Sequence, residues 1–419
     1  MARIVLTTFG SYGDVYPYLA IGRRLVERGH EAVIAAPGMY RAAAEGAGLE
    51  FAAIRPDVDF DDPELFAKAM DTKTGTEFVA RELVMPHLDE SLEDLRAATE
   101  GADLITSHVL TYAAPMLGEL SGKPWVSTVL SPMVFCSAHD PPALPPIPWF
   151  SKARALGPGV VGALWKLMRK VSWSWSAPVR ERRKSLGLPA DADPMWEGQH
   201  SPHGVLALFS GVLAAPQPDW PDATTVCGFP FHDEDFGDGE DGAALDEFLV
   251  AGDAPLVFSL GSSAVQAAGD FYEQAARASR SLGRRAVLVT GGSGAPADSG
   301  DDVLTIRSAP VASLFPKAAL VVHAGGVGST GQALRAGRPQ VVVPFAHDQF
   351  DNAVRVDRLG VGGVLKRSRL TVPRLTVLLR RVLADEAMAV TATTHAKRIA
   401  TEDGAGAACD ALEALLPST

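Results

Sequence analysis

Short apolar runs alternate with helical-period segments along most of the chain. RIVLTT (3–8) is a β-branched run that stops at Gly10. In PYLAIGRRLVERGH (17–30), Leu19, Ala20, Leu25 and Val26 share one helical face, and Arg23, Arg24, Glu27 and Arg28 the other. Gly29 ends that helix, and EAVIAAP (31–37) is the next predicted strand. Apolar runs at 49–54, 103–108, 125–131 and 204–210 continue the pattern. Such alternation predicts an α/β fold with a parallel sheet covered on both faces.

The rhythm breaks at APQPDWPDATTVCGFPFHDEDFGDGEDG (215–242), which is rich in proline, glycine and acid. A domain boundary is expected there, with residues 1–215 before it, 216–242 as linker and 243–419 after it. Strands then follow at 255–262, 285–291, 303–310, 318–326, 338–345 and 360–366, with helices at 270–282 and up to Arg335. Helices close the chain. The 419 residues suit two domains, because single cores stop growing at roughly 250–300 residues. The chain reads as two similar α/β halves in tandem.

GVVGALWKLMRKVSWSW (159–175) mixes Val161, Leu164, Trp165, Met168 and Val171 with Lys166, Arg169 and Lys170. It reads either as a lid or membrane-surface helix or as a packed helix with a solvated basic face. The packed reading is preferred, since tryptophan-rich helices are usually core.

Composition narrows the function. With 47% hydrophobic and 21% charged residues the chain looks like an ordinary globular protein. A net charge of −12 disfavours binding to a phosphate backbone, so no nucleic-acid partner is expected. Cys136, Cys227 and Cys409 show no CxxC spacing, which argues against a disulfide framework or metal knuckle and fits a reducing cytoplasm. MARIVLTTFGSYGD runs straight into a strand pattern, with no export signal expected. No apolar run reaches the ~20 residues of a membrane span. Peripheral membrane contact at most is expected, from a monomer or weak homodimer.

Four turns carry candidate chemistry. HAGGVGST (323–330) ends a predicted strand where a helix begins. Helix N-termini attract anions, phosphate above all, and glycine lets a diphosphate approach the backbone. Gly325, Gly326 and Gly328 supply that room. His323, Ser329 and Thr330 can donate hydrogen bonds. The alternative is that the glycines serve only strand–helix packing. AHDQFDN (346–352) opens a similar turn, where Asp348 and Gln349 can chelate adjacent sugar hydroxyls or Asp348 can simply be an N-cap. SLGSS (259–263) offers Ser262 to the same diphosphate. FGSYGDVYP (9–17) holds Gly13 and Asp14. Asp14 reads either as a base facing a cleft or as the N-cap of a helix beginning near Pro17.

GSYGDVYPYLAIGRRLVERGHEAVIAAP and VVHAGGVGSTGQALRAGRPQVVVPFAHDQFDNAVR together resemble the nucleotide-sugar-dependent glycosyltransferases of the GT-B fold. That group includes sterol glucosyltransferases, antibiotic glycosyltransferases and bacterial rhamnosyltransferases. SPHGVLALFS, QPDWPDATTVCGFPF and GDFYEQAARASRSLG look most like the rhamnosyltransferase of rhamnolipid synthesis. The resemblance implies two Rossmann-like domains facing a central cleft. The first would bind the acceptor, through Phe135 and His139, and the second the donor, with the last helix packing back on the first domain. It implies that His323 contacts the diphosphate, that Asp348 and Gln349 hold the sugar, and that Asp14 is the base. Ser308, Ala309 and Val311 fall at the nucleobase site. Many relatives have an aromatic residue where Ser308 stands, so the choice between a UDP- and a dTDP-sugar stays open.

The implied reaction moves a hexose to a hydroxyl of a small lipophilic, phenolic or natural-product acceptor, with inversion. A base must take the acceptor proton. His108 and His139 are rivals to Asp14. The growing diphosphate charge can be met by the helix start, without metal or other cofactor. The DxD-like run Asp233–Asp235 reads as solvated linker. A non-catalytic nucleotide-sugar-binding protein and a nucleotide-sugar epimerase are the competing functions.

Overall fold

Two parallel sheets organise the chain. The computed structural model describes residues 1–58, 62–233, 241–292, 296 and 300–416. The first sheet contains β1 (Arg3–Thr7), β2 (Glu31–Ala36), β3 (Glu50–Ala53), β4 (Leu104–His108), β5 (Trp125–Val129), β6 (Val205–Ala207) and β7 (Thr224–Val226). The second contains β8 (Leu256–Ser259), β9 (Ala286–Val289), β10 (Val303–Ile306), β11 (Leu320–His323), β12 (Gln340–Val342) and β13 (Gly362–Val364). Their orders are β3-β2-β1-β4-β5-β6-β7 and β10-β9-β8-β11-β12-β13. Every pairing is parallel. Helices cover both faces, so Ile4, Val5 and Leu6 are all buried on successive sides of β1.

In both sheets the strand order reverses beside the first strand, between β1 and β4 and between β8 and β11. Crossover helices leave on opposite faces at such a point and open a crevice at the strands' carboxyl ends. Four stretches distant in sequence meet at these two crevices: 8–14 with 108, and 260–263 with 323–330.

Five helices matter for function: α1 (Tyr12–Glu27), α2 (Pro158–Ser172), α3 (Val327–Arg335), α4 (Gln349–Arg358) and α5 (Gly404–Glu413). The expected start of α1 near Pro17 is corrected to Tyr12, and Pro17 lies inside the helix. Ser11 is the N-cap and Asp14 stands at the third helical position, which is the S-x-x-D form of a capping box.

The first domain runs past 215, because β7 at 224–226 pairs with β6. Asp233, expected to be solvated, forms a two-pronged ion pair with Arg335 at the end of α3 (2.6 and 3.0 Å). Glu234, Asp235 and the rest of the acidic run through Glu240 lie outside the described residues. α5 lies against α1: Ala408, Cys409 and Leu412 join the core of the first domain, and Arg28 pairs with Asp410 and Glu413.

Apolar clusters cross between the domains. Phe66 and Met70 enter the core of the second sheet. Val129, Phe209 and Phe229 share a cluster with Leu334, Val342 and Ile399. A polar clamp adds to them, with Asp140 of the first domain accepting from Arg355 (2.7 Å) and Arg358 (2.8 Å) of α4.

Candidate active site

At the first crevice the N-cap geometry of α1 aims Asp14. Its Oδ2 accepts from the Ser11 amide (2.8 Å) and the Ser11 hydroxyl (3.1 Å). Gly10 has φ +136°, and a Cβ there would lie 2.4 Å from Asp14 Oδ2, so the turn admits only glycine. Oδ1 remains, 3.8 Å from His108 Nε2. Asp14 lies deep in the cleft with about a third of its side-chain surface (34%) open. Burial pushes its carboxyl up to about 6, against the pull of the Ser11 hydrogen bonds.

His108 ends β4 and is buried. Burial holds its imidazole down at about 3, so it is neutral. Its Nδ1 accepts weakly from the Leu110 amide (3.4 Å), which leaves the proton on Nε2, the atom facing Asp14. The two groups therefore differ in capacity: Asp14 Oδ1 can accept a proton, and His108 presents an N–H beside it.

At the second crevice, α3 starts at the end of β11. The first intrahelical bond runs from the Thr330 amide to the Gly326 carbonyl (2.9 Å), so the amides of Val327, Gly328 and Ser329 precede the ladder. The three glycines differ. Gly325 has φ +96°, and a Cβ there would meet Val342 Cγ1 at 2.7 Å, so the fold requires it. A Cβ on Gly326 or Gly328 would meet nothing within 4 Å. Their smallness leaves the helix start open. Ser329 is half-exposed and Ser262 exposed. A Cβ on Gly261 would lie 3.3 Å from Ser329 Oγ, so the two turns adjoin.

His323 is not placed as a phosphate donor. It is fully buried, its Nδ1 accepts from the Gly325 amide (3.1 Å), and its Nε2 donates to Gln340 Oε1 (2.9 Å). Burial outweighs the Gln340 bond and holds the ring neutral, at about 4. The imidazole props the glycine turn from behind. Thr330 is likewise turned inward, with its hydroxyl donating to the Gly326 carbonyl (3.0 Å). The amides and Ser329 are what α3 presents.

Asp348 sits at the start of α4 without capping it. Its Oδ2 accepts from Asn352 Nδ2 (2.8 Å), which also donates to the Gly325 carbonyl (2.8 Å). Asn352 thus ties the two turns together. Burial first, then the charge of Asp14, pushes the Asp348 carboxyl up to about 7. The two carboxylates are close enough for the charge of one to act on the other. Gln349 is buried, and its Oε1 accepts from the Phe345 and Ala346 amides (2.8 and 3.1 Å). That oxygen closes the loop, so of the expected chelating pair Asp348 keeps its carboxylate and Gln349 only its Nε2 amide. Ser308, Ala309 and Val311 are half-buried after β10.

Phe135 is packed behind His200 rather than open to the cleft. It is 8% exposed, stacked on Trp220 (4.1 Å between centroids) and on His200 (5.6 Å). His139 is half-buried in a loop anchored to α4 through Asp140 and through the Ala143 amide on Asp351 (3.0 Å). A cavity of about 300 Å³ opens beside His108 instead, lined by Thr111, Tyr112, Trp125, Gln199 and His200 among others. Among the described residues no His, Cys, Asp or Glu cluster has the form of a metal site, and no helix is long and apolar enough to cross a membrane.

Ser11, Gln340 and Asp140 were missed as supports of the site. Gln340 carried a signal, a lone polar residue in the apolar run RPQVVVPF.

Comparisons agree with this architecture. The family model of the glycosyltransferase family 28 N-terminal domain matches residues 4–102. That of the erythromycin biosynthesis protein CIII-like C-terminal domain matches residues 295–415. The chain is 34% identical over 425 residues to O-mycaminosyltylonolide 6-deoxyallosyltransferase of Streptomyces fradiae, covering 98% of this chain and 97% of the relative. In fold it is similar to the glycotransferase of kitacinnamycin (TM-score 0.72, 22% identity, 99% of each chain). A spinosyn rhamnosyltransferase complexed with thymidine diphosphate gives a TM-score of 0.69 at 22% identity, covering 99% of this chain and 100% of that one. Identity at the level of the Streptomyces relative, sustained from end to end, means that the chain belongs to the nucleotide-sugar-dependent GT-B glycosyltransferases of the macrolide and natural-product type.

Proposed function

We propose that this enzyme transfers a hexose, with inversion, from a nucleoside-diphosphate sugar to a hydroxyl of a small lipophilic or phenolic natural product. The observation that carries this reading is the opposition of Asp14 to the open start of α3. Val327 at the start of α3 packs against the same first-domain core as Tyr12 and Tyr16 of α1, and the charge of Asp14 reaches Asp348. A donor with its diphosphate on the α3 amides and its sugar at Asp348 therefore has its anomeric carbon near Asp14. The thymidine diphosphate bound to the spinosyn enzyme supports a dTDP-sugar over a UDP-sugar.

The acceptor enters from the side of the His108 cavity. Its hydroxyl proton passes to Asp14 Oδ1 as its oxygen bonds to the anomeric carbon. The bond from that carbon to the diphosphate oxygen breaks, and the electron pair leaves with the nucleoside diphosphate. Attack opposite the leaving group inverts the centre. The Val327, Gly328 and Ser329 amides and the α3 dipole meet the growing charge, which is the task of a preorganised anion site. This arrangement needs no metal ion. Asp348, whose proton is held near neutrality, can both donate to and accept from sugar hydroxyls.

Incubation with dTDP- and UDP-sugars and a panel of phenolic and macrolide aglycones tests the reading. Nucleoside diphosphate should be released only with acceptor present, and proton NMR should show an inverted anomeric linkage. Donor consumption without acceptor, or a retained configuration, would refute it.

A further inference from the structure

The described surface carries one apolar patch that the catalytic cleft does not use. α2 buries Val161 and Trp165 against the domain, as the packed-helix reading requires. A second stripe faces outward: Val160 (48% exposed), Leu167 (59%) and Val171 (71%), bordered by half-buried Leu164, which packs against the Val161 and Trp165 cluster. Trp149 (64%) and Leu156 (61%), from the segment before α2, continue it. At 100° per residue, Val160, Leu164, Leu167 and Val171 fall within one narrow sector. Lys166 and Lys170 flank it, and Lys152 lies nearby in the chain. All three lysines are exposed, with no ion-pair partner among the described residues.

The charge here opposes that of the whole. From Trp149 to Lys184 there are nine Lys or Arg and one acid, Glu181; four of the nine pair with acids elsewhere in the fold (Arg154 with Asp140, Arg169 with Glu197, Arg182 with Asp89, Arg183 with Glu119), which leaves five cations to one acid in a chain whose total is −12. Basic charge beside an exposed apolar stripe is the signature of a helix lying in the plane of an anionic bilayer. A second copy fits poorly. A two-fold contact centred on the stripe sets like surface on like and places the α2 lysines of both copies together. The stripe, about 22 Å by 10 Å, also falls well short of the ~800 Å² per partner of a stable interface.

We propose that α2 and the segment before it dock this enzyme on an anionic lipid surface. This stands independently of the donor-site reading. Docking serves a lipophilic acceptor, because α2 adjoins the acceptor cavity. Arg169 pairs with Glu197, a lining residue, and Trp165 packs edge-on against Trp196 (5.4 Å).

Vesicle co-sedimentation of the full chain tests the proposal, using phosphatidylcholine alone and phosphatidylcholine with about one-third phosphatidylglycerol. The parent should bind the anionic vesicles, lose binding at high salt, and bind neutral vesicles weakly. Leu167→Asn with Val171→Asn should weaken binding to anionic vesicles about tenfold or more. Lys166→Ala with Lys170→Ala should weaken it by a similar factor and leave the neutral vesicles unaffected. All four positions are surface sites, so thermal midpoints and dTDP affinity should match the parent and confirm folding. Absence of anionic binding by the parent, or binding unaltered in both variants, would overturn the proposal. So would a dimer in light scattering that the Asn pair converts to monomer while vesicle binding stays the same, which assigns the stripe to a second copy.

Discussion

Replacing Asp14 with Asn should make the enzyme more stable and far less active. The substitution keeps the shape of the side chain. Its Oδ1 can still accept from the Ser11 amide and hydroxyl that now hold Asp14 Oδ2, so the start of α1 survives. The stability gain follows from the carboxyl's environment. A rise from 3.8 to about 6 means the folded chain binds the Asp14 proton more tightly than the unfolded chain does. The penalty is absent below the unfolded value and fully present above about pH 6. For a fully buried group it is about 3 kcal/mol at neutral pH. With a third of the side chain open, screening brings it to about 1–2 kcal/mol. The neutral amide escapes this cost, so urea unfolding at pH 7.5 should show the variant more stable by that amount, and at pH 3, below the unfolded value of 3.8, the difference should vanish. Turnover should fall ~10²–10⁴-fold, the usual worth of a general base, with nucleoside-diphosphate affinity retained. In the parent, kcat/KM should rise with pH through about 6 as Asp14 ionises, and in the variant that rise should be lost. Turnover within a few-fold of the parent would refute the assignment and move the base to His108. A loss of stability at pH 7.5 would refute the account of the buried carboxylate.

His323→Ala should lower stability by about 2–4 kcal/mol, because it orphans the buried Gly325 amide and Gln340 oxygen and leaves a cavity. By loosening the turn it should also weaken dTDP binding about tenfold, read by calorimetry; unchanged affinity would mean the turn holds its shape without the imidazole. Gly328→Ala should raise stability by about 0.5–1 kcal/mol through helix propensity yet weaken dTDP binding, since its Cβ points into open space at the anion site. Tight binding in that variant would place the diphosphate elsewhere. Excess EDTA should leave the transfer rate unchanged, and abolition with rescue by magnesium would refute charge stabilisation by the α3 amides alone.

Much of the architecture was written in local patterns. β-branched runs such as RIVLTT and AALVVH gave strands, and 3.6-residue spacing gave α1 and α3. Glycine turns marked the strand ends that carry the site. Periodicity and turn chemistry act over a few residues, so a single sequence displays them. β7 escaped because TTV sits in a run of proline and acid, and only pairing with β6 makes it a strand. The strand order, and with it the meeting of Asp14, His108, α3 and Asp348, depends on contacts between residues up to hundreds of positions apart. The direction of a side chain was hidden for the same reason. HAGGVGST reads as one motif, yet His323 turns inward because Gln340 waits seventeen residues on, while Gly326 and Gly328 stay open because nothing packs over them. The apolar residues of α2 were visible in the chain. Which of them face the core and which face outward was decided by the cluster around Phe150 and Trp196, which takes in Val161 and Trp165 with Leu164 and Met168 at its edge and leaves Val160, Leu167 and Val171 exposed. Burial is a property of neighbours, and neighbours are what tertiary structure supplies.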